Sequence, residues 1–276
     1  MIGVELRLML HRRRVWLCWI LLCGLPALVA LLLATTRLAP PPGRGGAFLS
    51  AVVANGQLFP AAALALVLPV FLPITVAIVA GDAVAGEASA GTLRYLLARP
   101  VGRLRLLTAK LISVAAFVLL AVLFVTVTSY LVGVAAFGFG AQTPQGGVAG
   151  IPSLSGAVLT PFDLVLRTAA TVGYLALCML ALGAVGLFFS TLTDSPLAAA
   201  LGVLALVVAS AALQPLDAAA AIEPFLPTSH WLAWVDLYRD PILWESVRTG
   251  VEVQLGYVLV AFGAAWANFA TKDVTS

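Results

Sequence analysis

The residues able to do chemistry are few and unevenly spread. Between Gly81 and Lys110 the chain reads GDAVAGEASAGTLRYLLARPVGRLRLLTAK, and five of its fifteen Lys and Arg fall there: Arg94, Arg99, Arg103, Arg105 and Lys110, behind Asp82 and Glu87. Such a set suits ionic contact with a partner surface better than bond making. Ala83 to Ala98 is rich in helix formers, and Leu93, Leu96 and Leu97 stand at i, i+3 and i+4, which predicts a two-faced helix. Pro100 ends it, because the residue before a proline is pushed out of the helical region. A second acidic group, Asp236, Asp240 and Glu245, is interleaved with Arg239 and Arg248 and reads as a solvated, self-paired loop rather than a catalytic cluster. The two histidines, His11 and His230, lie far apart, and Cys18, Cys23 and Cys178 fall in apolar stretches. This argues against a metal centre or a disulfide framework and for plain core packing of the thiols. There is no G-x-x-x-x-G-K-[ST] run, so the chain cannot cradle a nucleotide phosphate by that device.

The elements that must position these groups are dictated by composition. The chain is 62% hydrophobic and 10% charged, with a mean hydropathy of +1.08, against about 25% charged in an average soluble domain. A membrane needs roughly 20 apolar residues per helical span. The sequence supplies six, at 15–34, 58–80, 106–137, 164–189, 197–213 and 251–270, with loops too short for a separate soluble domain. The expectation is one all-α integral membrane domain over 1–276. A signal peptide at the start is disfavoured, since the first apolar run is too long and lacks a small-x-small cleavage site. Pro60, Pro69 and Pro73 predict a kinked second span, either a moving helix or a packing irregularity. Ala198 and Gly202 place small residues four apart on the fifth span, which allows close helix approach within one chain or between two.

Four further stretches complete the chain. Residues 1–14 hold Arg7, Arg12, Arg13 and Arg14 on an imperfectly amphipathic pattern. This reads as an interfacial helix on an anionic leaflet, or as a basic flank that only sets orientation. The loop at 35–57 carries three consecutive prolines and leaves room for a short apolar helix at Ala47 to Ala54. Polar residues 81–105 form the hairpin, and 190–195 a tight polar turn. Residues 214–250 are too polar to span but carry Trp231, Trp234, Tyr238 and Trp244, which suit a membrane–water boundary, on short re-entrant or interfacial helices. Ten of the fifteen Lys and Arg (Arg7, Arg12, Arg13, Arg14, Arg94, Arg99, Arg103, Arg105, Lys110 and Lys272) fall on the side holding both termini and the hairpin. The positive-inside rule places that side in the cytoplasm. No predicted span carries an ionisable residue near its centre; Lys110, Arg167 and Glu252 stand near span ends, within reach of the interface. That weighs against an ion-coupled carrier, and the absence of an acid–base cluster weighs against an intramembrane enzyme.

The hairpin reads G-E-x-x-x-G-T-L-R-Y-L-L-A-R-P-V-G-R, carried by Gly86, Glu87, Gly91, Thr92, Leu93, Arg94, Tyr95, Leu96, Leu97, Ala98, Arg99, Pro100, Val101, Gly102 and Arg103, with Lys110 opening the next span. This closely resembles the signature of type-2 ATP-binding-cassette (ABC) permeases, the six-span subunits of bacterial exporters. The six spans, cytoplasmic termini, amphipathic start and aromatic hairpin before the last span match along essentially the whole chain. The resemblance implies that two permease subunits pair, as a homodimer or with a paralogue, and that each docks a separate nucleotide-binding ATPase. It implies that Glu87, Gly91, Thr92, Arg94 and Arg99 face or brace that ATPase, with Thr193 and Asp194 as a smaller second contact. The N-terminal helix would lie at the membrane surface, and the first and fifth spans, with Ala198 and Gly202, would line the dimer seam. The implied role is export of a hydrophobic drug, peptide antibiotic or lipid across a bacterial plasma membrane. No cofactor is expected in this chain, ATP and Mg being the partner's, and no nucleic acid. A permease of copper-enzyme maturation shares the same hairpin and stands as an alternative, as does an intramembrane enzyme.

Overall fold

The computed structural model describes residues 3, 7, 9, 11–36, 55–91, 102–139, 151–152, 155 and 158–271. Gly3, Arg7, Met9 and His11 are helical, and the chain turns at Arg12 into α1, Arg13–Thr36. There follow α2 (Phe59–Val67), α3 (Phe71–Ser89), α4 (Arg103–Phe137), α5 (Pro161–Leu192), α6 (Pro196–Leu213) and α7 (Trp244–Thr271). Six of these, all but α2, are long and apolar enough to cross a membrane, which makes this a multi-pass membrane fold. A two-residue antiparallel ladder, Ile151–Pro152 with Val158–Leu159, is the sole strand structure among the described residues.

The second span is interrupted where its prolines predict a kink. It is two helices, because Pro69 and Pro73 stand four apart. In a continuous helix Pro69 would offer no donor to Ala65, and the Pro73 ring would strike the Pro69 carbonyl. The chain breaks at Leu68–Val70 and restarts with Val70 at φ −130°, ψ −58°. From there α3 runs on to Ser89, so Glu87 is helical as expected and Asp82, read as lying ahead of that helix, is helical too. The helix expected at 83–98 is corrected: α3 ends before Gly91, which takes φ +69° and donates its N–H to the Ala88 carbonyl at 3.0 Å. A glycine with positive φ just past the last turn is a common helix stop. Thr92, Arg94 and Arg99 lie outside the described residues, as does Ala47 to Ala54.

The remaining helices start where local chemistry allows. Thr160 caps α5 by accepting the Asp163 N–H at 3.1 Å, while the Asp163 carboxylate accepts from the Thr160 N–H at 3.2 Å, with Pro161 in the first turn. Ser195 caps α6 ahead of Pro196. Both are the reciprocal or single side-chain caps expected of these residues. Helix α4, with 35 residues, is about 52 Å long at 1.5 Å per residue. It outreaches a hydrocarbon core of roughly 30 Å.

Helices α3, α4 and α5 form the centre. α3 packs against both α5 and α6, α4 against α1, α2 and α5, and α7 against α5. Glycines set the closest approaches. A Cβ on Gly81 would stand 2.9 Å from the Ala200 backbone nitrogen, and one on Gly186 2.7 Å from the Ala80 methyl. Gly133 and Gly56 bring the end of α4 onto the entry to α2. The outer faces of α1, α6 and α7 expose Leu17, Ile20, Leu31, Leu197, Val208, Leu259 and Val260. So much outward apolar surface is unusual for a protein in water and normal for one in lipid.

Candidate coupling site at the basic end of the bundle

Alternating helix directions bring the start of α1, the end of α3, the start of α4, the α5–α6 turn and the end of α7 to one end of the molecule. The side chains there are joined. Glu87, in the last turn of α3, meets Lys110 on α4 at 2.5 Å. Lys110 has only 2% of its side chain exposed and Glu87 10%. The expectation that Lys110 reaches out to the interface is corrected: two helices pack over it, and the carboxylate one turn before the α3 stop compensates its charge. A buried pair of this kind survives only when both partners are present.

Five residues earlier on α3, Asp82 accepts from Arg12 and lies 3.5 Å from the Arg14 guanidinium. Arg12 and Arg14 thus reach toward this carboxylate, Arg14 while largely exposed, and Arg7 and Arg13 are exposed as well. Ser190, buried on α5, donates to the Gly81 carbonyl at 2.7 Å and accepts from the Ala85 N–H at 2.8 Å and the Val84 N–H at 3.0 Å. Its hydroxyl thus joins groups one turn apart on α3 and ties α5 to α3 where Gly81 lets α6 come close. Asn268 of α7 donates to the Thr191 carbonyl at 3.0 Å. Arg103, opening α4, donates to the Phe269 and Ala270 carbonyls at 3.1 and 2.8 Å. A cation on the last carbonyls of α7 satisfies groups that no helical N–H can reach and opposes the helix dipole.

Of the residues expected to meet a partner, Glu87 is committed to an internal pair, and Gly91 supplies the helix stop at the rim. Asp194 is exposed and Thr193 half-buried on the α5–α6 turn, where the Thr193 hydroxyl accepts from the Ser195 N–H at 3.1 Å. Arg94, Arg99 and Thr92 belong to 92–101, the segment that α3 and α4 flank. The residues the sequence reading left unassigned are Asp82, Ser190, Asn268 and the inward role of Lys110. Charges at the ends of apolar runs were the available signal for Asp82 and Lys110; nothing in the sequence singles out Ser190 or Asn268.

The supposed seam residues separate. Ala198 is exposed, whereas Gly202 faces the Phe189 ring, which a Cβ would meet at 3.4 Å. The close contact at Gly202 is thus within the chain, set by the short α5–α6 turn that forces the two helices together.

At the opposite end, the expected outward aromatic belt is corrected for three of its four rings. Trp231, Trp234 and Tyr238 are 6%, 0% and 2% exposed, while Trp244 is exposed. The first three pack into the bundle because residues 214–243 fold back in short 3-10 turns at Asp217–Ala219, Glu223–Phe225 and Ala233–Tyr238. Trp234 and Tyr238 meet edge to face with centroids 6.0 Å apart. Burial pushes the Tyr238 phenol up, and its oxygen lies 3.1 Å from the Thr168 hydroxyl. Side chains from the helices satisfy this loop's carbonyls: Tyr174 donates to His230 at 2.6 Å, Gln254 to Pro227 at 2.9 Å, Tyr257 to Phe225 at 2.8 Å and Arg167 to Arg239 at 2.5 Å. Arg167 likewise turns inward instead of toward the interface. Among the described residues, no three His, Cys, Asp or Glu converge as a metal site. Asp236 is paired with Arg239 at 2.8 Å.

Among the described residues, the basic end shows no nucleophile–base pair. What it offers is mechanical: α1, α3, α4, α5 and α7 are tied together beside a polar segment, so a displacement there is shared among helices. Comparison with curated proteins found no match. Residues 42–217, which include this segment and the helices from α2 to α6, match the family described as protein of unknown function, DUF2705, and the chain belongs to that family.

Proposed function

We propose that this chain is the membrane-spanning permease subunit of an ABC transporter. It would export a hydrophobic or amphipathic substrate (a drug, a peptide antibiotic or a lipid) from a bacterial cell, using ATP hydrolysed by a separate subunit. Two copies, or this chain and a paralogue, form the transporter, and both termini and the 81–110 segment face the cytoplasm. The observation that carries the reading is the buried Glu87–Lys110 pair. It locks together the two helices flanking the segment whose sequence resembles the coupling hairpin of type-2 permeases. A partner that moves this segment then moves α3 and α4 as a unit, and the Arg103 and Ser190 bonds pass the motion to α7 and α5. For ATP to do work this way, the nucleotide state of the partner must favour one arrangement of the helices over another.

The test is co-purification and coupled ATPase activity with an ABC-type ATPase subunit co-expressed with this chain. Arg94→Glu combined with Arg99→Glu should abolish substrate-stimulated hydrolysis while the permease keeps its helix content and its place in the membrane. Assembly and transport at wild-type levels in that variant would sink the assignment. Glu87→Arg is a poor probe, because it sets two cations together in a buried site and disturbs the fold itself.

A further inference from the structure

The faces of α1 and α6 given to the seam between two copies are not flat. Leu17 and Leu21 on α1 and Leu197 on α6 stand proud, 65%, 48% and 69% exposed. Between them the surface falls away to Cys18, Ala200 and, on α3, Thr75, all buried. The recess holds about 490 Å³, within the roughly 300–1,000 Å³ usual for small-molecule sites. Two copies paired about a twofold axis present the same patch to each other. Contact between the ridges then leaves the recesses as enclosed space, shielded from lipid by the neighbouring copy.

The chemistry of the lining is one-sided. The Thr75 hydroxyl is spent on the Leu72 carbonyl at 2.9 Å, and the remaining walls are apolar except at Arg14. Arg14 is the one charged residue among the described lining residues, and it stands at the basic end. Its guanidinium is 68% exposed and 3.5 Å from Asp82, too far for a strong charge-assisted bond, and that carboxylate already accepts from Arg12. Arg12, Arg14 and Asp82 share a small cavity of about 50 Å³ with Lys110, which Glu87 holds at 2.5 Å. Three cations against two carboxylates leave one positive charge, and the weakly held group is Arg14. From Arg14 to Leu21 the recess follows α1 for about 10 Å at 1.5 Å per residue.

We infer that this recess is a substrate site of the transporter proposed above and that the substrate it takes is an amphipathic anion. A carboxylate, sulfate or phosphate monoester lies against Arg14, and one apolar tail of about 10 Å runs toward Leu21. The inference rests on the permease reading and narrows its substrate class. A cationic drug would set a further positive charge beside Arg14 and Arg12. A neutral apolar molecule would leave the exposed guanidinium unused. A hydrogen bond to a charged group contributes about tenfold in affinity or more, which is enough to sort the three classes.

The full chain in liposomes is irradiated with decyl sulfate carrying a diazirine at the end of its tail. Label should fall around Leu21 and Leu197 and spare Leu259 and Val260, which α7 exposes on its outer face. Unlabelled decyl sulfate should compete about tenfold better than decanol or decyltrimethylammonium. Arg14→Gln should erase that advantage, and Arg14→Lys should keep most of it. With an ATPase subunit assembled on the chain, decyl sulfate should raise ATP hydrolysis and the cation should not. Label spread evenly onto α7, equal competition by the cation, or an unchanged advantage in Arg14→Gln overturns the inference. So does confined labelling with no effect on hydrolysis in the assembled complex. A disulfide between Leu197→Cys of one copy and Cys18 of the other also overturns it, because the neighbouring copy then fills the recess. All these outcomes leave the permease reading standing. That reading falls on co-purification alone, when no ATPase subunit stays with the wild-type chain.

Discussion

The two ends of the bundle are held by different physics. At the basic end, five charged groups and two polar side chains (Arg12, Arg14, Asp82, Glu87, Lys110, Ser190 and Asn268) join five helices through directional contacts. At the other end, three large aromatic rings fill the space beneath a folded-back loop, and helix side chains satisfy its carbonyls one by one. A core of rings loses free energy smoothly as it loosens. A buried ion pair is all or nothing, because one charge without the other is left in low dielectric. The basic end is therefore suited to switching between discrete arrangements, and the aromatic end to holding still while that happens.

The comparison can be broken at its strongest point first. Lys110→Met leaves Glu87 buried beside an apolar side chain and should cost about 3–5 kcal/mol, seen as a large drop in the denaturation midpoint in detergent micelles. Adding Glu87→Leu to that variant should restore the midpoint to wild type or above, since an apolar pair of similar volume needs no compensation. If the double variant stays as unstable as the single, the pair is not acting as a buried charge couple. At the other end, Trp234→Ala should cost a similar amount, about 3–5 kcal/mol, but no second truncation nearby should rescue it, because a cavity cannot be neutralised. Rescue by Tyr238→Leu would show that the two ends are not distinct in kind. A smaller effect sharpens the contrast. Tyr174→Phe removes the donor to the His230 carbonyl and should cost about 1 kcal/mol. Its consequence should be faster hydrogen exchange in 228–238 with no change at 81–91.

Much of the fold was legible. Apolar runs of sufficient length announce spans at α1, α4, α5 and α6 within a few residues of their observed bounds, since backbone groups in lipid must bond within the helix and nothing shorter crosses. The start of α6 was also local, at Ser195 with Pro196, whereas the stop of α3 at Gly91 was missed because Pro100 was read as its end. The charged partners were harder to read. Asp82 and Lys110 stand 28 positions apart, and only the antiparallel return of α4 along α3 puts them at one cavity. Arg12 lies 70 residues from the carboxylate it joins. The aromatic loop misled for a related reason. Tryptophan in a polar stretch beside a span fits the interface on composition, yet the 3-10 turns at 217–238 carry the rings back under the bundle.

What the sequence by itself determined is a chain that must live in a membrane as six apolar helices, with its cations gathered at one set of loops. Those are consequences of composition and period, which act over a few residues. What only the tertiary structure decided is which of those charges look outward. Whether Lys110, Arg12 and Arg14 meet lipid, a partner or a carboxylate of their own chain depends on how α1, α3 and α4 pack. Gly81, Gly183 and Gly186 let α5 and α6 pack closely on α3 and α4, and the charged ends of α1, α3 and α4 are brought together by that same packing of the bundle.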